Sequence, residues 1–88
     1  MSKTYDSLRI QLELQEWPNV YLFKFIVPNN NEAIAKVTSL FDESADLTMH
    51  PSSKGTYMSV SANELMMDVD SIISKYNSAS EIEGLVAL

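Results

Sequence analysis

One stretch constrains the fold more than any other: Val20-Tyr21-Leu22-Phe23-Lys24-Phe25-Ile26-Val27, closed by Pro28. In an extended chain Tyr21, Phe23, Phe25 and Val27 fall on one side, and Val20, Leu22, Lys24 and Ile26 on the other. Apolar residues on both sides predict a central strand covered twice. No apolar run approaches the roughly 18–20 residues that a membrane-spanning helix needs. Pro28 ends the strand, and Asn29-Asn30-Asn31 behind it can accept the free amides of a starting helix.

The remaining elements follow from periodicity. From Glu32 to about Glu43, Ile34, Val37, Leu40 and Phe41 recur at helical spacing, with Glu32 and Lys36 paired at i, i+4. Asp46 to His50 reads as a short extended stretch, and Pro51-Ser52-Ser53-Lys54-Gly55 as a turn. Thr56 to about Met67 predicts a long strand with Met58, Val60 and Ala62 on one face and Tyr57, Ser59 and Ser61 on the other. The apolar parity then switches to Leu65 and Met67, which predicts a bulge near Asn63-Glu64. Asp68 caps a second helix lined by Val69, Ile72, Ile73 and Tyr76. Glu81 to Leu88 supplies a last strand. At the other end, Leu8, Ile10, Leu12 and Leu14 alternate as in a strand, whereas Tyr5, Leu8 and Leu12 share a helical face. The Leu, Gln, Glu and Arg content of that segment favours a short helix, closed by Trp17-Pro18-Asn19.

The order is β-α-β-β-α-β behind an N-terminal extension, which predicts an α+β, ferredoxin-like sandwich. Two helices cover one face of a four-stranded antiparallel sheet, with the first and third strands central. Residues 1–19 form the extension and residues 20–88 a single domain. The 88-residue length fits one core, of the size that buries about 60–65% of its unfolded surface, and a partner subunit would add to that. Twelve acidic residues against six basic ones give a net charge of −6, which disfavours nucleic acid and anionic membrane surfaces. There is no cysteine, so thiol catalysis, disulfides and thiolate metal sites are excluded. The first six residues lack an apolar secretory core, and a cytoplasmic location is expected.

The stretch Pro51-Ser52-Ser53-Lys54-Gly55-Thr56-Tyr57-Met58-Ser59-Val60-Ser61 closely resembles the signature of the YbeD-like family of small bacterial proteins of unknown function. Tyr21-Leu22-Phe23-Lys24-Phe25 and Ser80-Glu81-Ile82-Glu83-Gly84 also look like that family, and the likeness runs from about Trp17 to Leu88. The resemblance implies a ferredoxin-like, ACT-like fold and a regulatory character, and it brings no catalytic residues.

The residues themselves offer two candidate sites. Ser52, Ser53, Lys54 and Gly55, with Tyr57, combine amides around a glycine, hydroxyls and an ammonium, which suits a carboxylate or phosphate; the same residues are also ordinary hairpin chemistry. Leu22, Lys24, Ile26 and Ser59 lie on the sheet face away from the helices, and that face is expected to be covered by the N-terminal segment or a second subunit. His50 is the sole histidine and sits too close in sequence to Ser52 for a nucleophilic pair, so neither a catalytic nor a metal site is expected. An acylphosphatase-like activity would need an arginine in the Pro28–Asn31 loop, which has none. Two functions result. One is a regulatory domain sensing a small anionic metabolite at the 51–57 turn or a subunit interface, without cofactor. The other is a non-catalytic adaptor using the open sheet face. The expected partners are a homodimer mate, a small anionic metabolite or a protein.

Overall fold

The computed structural model describes residues 5–88. Its elements are α1 (Asp6–Glu13), β1 (Asn19–Pro28), α2 (Asn31–Thr38), β2 (Asp46–Pro51), β3 (Tyr57–Met66), α3 (Val69–Ala79) and β4 (Val86–Ala87). The strands form one antiparallel sheet in the order β2-β3-β1-β4, with β1 and β3 central as the sequence predicts. This α+β arrangement is compatible with the ferredoxin-like expectation.

The alternation of β1 sends Phe23, Phe25 and Val27 inward, opposite Ala62, Val60 and Met58 of β3. On that face α2 contributes Ala33 and Val37, and α3 contributes Ile72, Ile73, Tyr76 and Ala79. Phe23 and Phe25 are fully buried, and each such side chain stabilises the fold by about 1.5–3 kcal/mol. Both sheet-covering helices start where the sequence says. The Asn30 carboxamide accepts from the Ala33 N–H, and the Asp68 carboxylate accepts from the Ser71 N–H.

Segment 5–16 folds around a helix, α1, and contains no strand. α1 inserts Leu12 into the common core and packs on α3, where Arg9 pairs with Asp70 at 2.7 Å and the Tyr5 hydroxyl donates to the Tyr76 carbonyl. The N-terminal helix therefore lies on the helical side. It does not cover the opposite face of the sheet, and β1 is covered on one face only.

Three boundaries differ from expectation. No bulge interrupts β3, since its pairing with β1 runs in unbroken register from Tyr57↔Pro28 to Met66↔Asn19. Leu65 and Met67 are consequently exposed, and Glu64 points into the core. α2 ends at Thr38 instead of near Glu43, because the Leu40 and Phe41 amides tighten onto the Val37 and Thr38 carbonyls, turning both side chains against the core. The last strand is Val86–Ala87 alone. Residues 81–85 form turns that bury Ile82, and Gly84, at φ +80°, lies so close to Pro28 that a Cβ would stand 2.8 Å from the ring's Cγ.

Candidate functional site

The β2–β3 connection is a closed hairpin loop. The Ser52 N–H donates to the Tyr57 carbonyl at 2.8 Å, the Ser52 hydroxyl accepts from the Tyr57 N–H, and the Gly55 N–H donates to the Ser52 carbonyl. Gly55 takes φ +73°, a conformation that L residues with a Cβ resist. The Asn29 side chain then donates to the Gly55 carbonyl at 2.9 Å, tying the loop to the end of β1. Of the residues expected to form a ligand site, Ser52 and Gly55 thus serve the turn itself. Ser53 and Lys54 stand exposed at the tip, and Tyr57 occupies the neighbouring open face of the sheet opposite Pro28.

The face away from the helices does gather Leu22, Lys24, Ile26 and Ser59. Lys24 pairs with Ser61, and Ile26 lies between Ser59 of β3 and Val86 of β4. Sequence reasoning put Val20 on this side of β1 but missed the apolar neighbours that β3 and β4 bring to it. Val20 faces Leu65 across the β1–β3 ladder, and the four side chains Val20, Leu22, Leu65 and Val86 are 58, 46, 61 and 54% exposed. Leu88 continues the patch, its N–H donating to the Lys24 carbonyl. Unbroken alternation of β3 would have revealed Leu65; the assumed bulge hid it. At the open-face positions of the strands Lys24 is the only lysine or arginine and Asp46 the only acid, although the chain carries twelve acidic residues.

The helical side holds the polar pair that sequence reasoning also missed. Glu64 and Lys75 form an ion pair whose side chains are only 8 and 14% exposed. The second Glu64 oxygen accepts from the Asp42 N–H at 2.9 Å, and the Lys75 ammonium sits 4.7 Å from the Phe41 ring centre. Nearby, the Tyr21 and Tyr76 hydroxyls share a hydrogen bond of 3.0 Å. Burial, with that bond, pushes the Tyr76 phenol well above its ordinary value. These contacts join the α2–β2 connection, α3 and the sheet into one unit, so the open face is mounted on a rigid support.

A cleft of about 390 Å³ opens between the start of α2 and the turns before β4, lined among others by Pro28, Asn30, Glu32, Lys36 and Gly84. Its Lys36 is paired with Glu32 at 3.0 Å. Among the described residues no group of three His, Cys, Asp or Glu side chains is placed to hold a metal ion. His50 is exposed on β2, opposite Ser59. Among the described residues no helix is long and apolar enough to cross a membrane.

Fold and surface together define a small α+β domain with an open antiparallel sheet. The chain matches the model of the family described as "Protein of unknown function (DUF493)" over residues 12–87, and it belongs to that family. This is the family of the YbeD-like resemblance seen in the hairpin. No curated protein and no solved structure matches the chain.

Proposed function

We propose that the chain is a non-catalytic protein-interaction module that binds through the open face of its sheet. The observation that carries this reading is the contiguous exposure of Val20, Leu22, Leu65, Val86 and Leu88 around Lys24. Soluble domains seldom leave such a patch bare, and when they do it serves recognition. Apolar area supplies the affinity, and a single ammonium in its midst selects a partner that presents an apolar surface with one carboxylate. Capture experiments with the purified chain as bait test this. Leu22→Asp and Lys24→Glu should abolish capture of the partner while leaving the thermal transition intact, because both side chains are exposed. Capture that survives in both variants rejects this face.

A second reading, sensing of a small ligand as the ACT-like resemblance implies, draws support from the cleft beside α2. Its volume falls in the range of small-molecule sites. Glu32 and Glu83 against a single, already paired Lys36 suit a neutral or cationic ligand better than the anionic one expected at the 51–57 turn. A thermal-shift screen tests this reading, and a hit abolished by Glu83→Gln but untouched by Lys54→Ala would place the ligand in the cleft.

A further inference from the structure

β2 is the long free edge of the sheet, and all six of its residues are exposed. Its ladder to β3 fixes which backbone groups remain unused. Ser52 donates to Tyr57, so by the alternation of antiparallel pairing His50, Thr48 and Asp46 also turn their amides and carbonyls toward β3. Leu47 and Met49 turn theirs outward, into solvent. An edge of this kind is a template for another strand unless the chain blunts it. Here no lysine, bulge or covering segment among the described residues does so, and Pro51 interrupts only the end.

We infer that a second copy of the chain pairs with this edge, β2 against β2, about a twofold axis at Thr48, joining two sheets into one of eight strands. The register follows from the residues. Centred on Thr48, antiparallel pairing sets Leu47 opposite the partner's Met49, and each such pair exchanges both of the outward hydrogen bonds. The same register sets Asp46 opposite the partner's His50, on the open face, and the twofold repeats the pair. These are close, non-hydrogen-bonded positions, where the Asp46 carboxylate can accept from a ring N–H of the partner's His50. Asp46 is the only acid and His50 the only histidine on that strand, and the symmetry brings the two together. Shifting the axis by one residue in either direction loses this match. The ladder stops where Pro51, which has no N–H, would have to donate.

The other side of the ribbon agrees. Leu47 and Met49 lie on the helix-bearing face yet remain 37 and 45% exposed, because α2 and α3 stop short of β2. Pairing would seat each against its counterpart and extend both cores through the junction. The contact uses a different surface from the apolar patch of β1, and it leaves that patch free, so two patches would be displayed on one continuous sheet.

Sedimentation velocity across a concentration series of the full chain tests the inference. The wild type should form a dimer that dissociates on dilution. His50→Glu, which sets like charges opposite Asp46, should raise the dissociation constant about tenfold or more. Adding Asp46→Lys to it should restore the dimer, since the pair is then reversed. Met49→Pro removes an outward N–H that β3 does not use, so it should leave the monomer folded by circular dichroism and abolish the dimer. A wild type that stays monomeric at every concentration overturns the inference. So does a dimer that tolerates both Met49→Pro and His50→Glu. The His50→Glu and Asp46→Lys variants alone decide the matter if the proline variant fails to fold.

Discussion

Replacing Lys75 with Met would strip the buried Glu64 carboxylate of its countercharge while keeping an apolar side chain against Phe23 and Phe41. Removing one member of a buried pair costs about 3–5 kcal/mol in fully desolvated sites. Here the cost is reduced, because Lys75 keeps 14% exposure and the second Glu64 oxygen still accepts from Asp42. A destabilisation of about 2–3 kcal/mol is expected, and in a chain of this length it lowers the melting temperature by roughly 10–20 °C. Adding Glu64→Gln removes the stranded charge and preserves an acceptor for the Asp42 N–H. The double variant should therefore recover more than half of the loss. Urea unfolding of the wild type, both single variants and the double variant closes the cycle. A Lys75→Met loss below about 0.5 kcal/mol, or a double variant no better than the single one, would refute the view that the pair is desolvated and mutually dependent.

Gly84→Ala should cost about 2–4 kcal/mol, since it combines a positive φ with a Cβ driven into the rigid Pro28 ring. Gly55→Ala meets open space and should cost only the conformational part, about 1–2 kcal/mol; equal losses in urea unfolding would show that the Pro28 contact is unimportant. The raised Tyr76 phenol means the folded state holds its proton more tightly than the unfolded chain does. That stabilisation is complete below about pH 10 and is lost as the pH rises through the folded value. The wild-type urea midpoint should thus fall more steeply above pH 10 than that of Tyr76→Phe, and parallel profiles would contradict the assignment.

The sheet was legible because its signals agree at several levels. The β1 alternation, Pro28, the Asn30 cap and the helical spacing of Ile72, Ile73 and Tyr76 all point to the same elements, and each is found. Glu64 was not legible, because a carboxylate normally marks the solvent side of a strand. Only a lysine from α3 and a backbone N–H from the segment after α2 make an inward carboxylate tolerable, and both arrive from distant sequence. Reading Glu64 as outward forced a bulge on β3 and hid Leu65. β4 was overestimated for a related reason. Ile82 shares its alternation with a strand but is buried by a turn, and the Gly84 approach to Pro28 delays pairing until Val86. In the candidate face, Leu22, Lys24 and Ile26 were visible from β1 alone, whereas Val20–Leu65 and Ile26–Val86 neighbours depend on register between strands. The hairpin motif was visible too, and most of its distinctive chemistry goes into closing the turn.

Site-specific photo-crosslinking in cells tests the account most directly. A photoreactive residue placed at Leu22 and, separately, at Leu65 probes the open face, and one at Ala35, exposed on α2, serves as the control. The account predicts one protein species crosslinked from both open-face positions, absent from the Ala35 probe and lost when Lys24→Glu is added. Crosslinks that arise from Ala35 and not from Leu22 or Leu65 would contradict it and move recognition to the helical side.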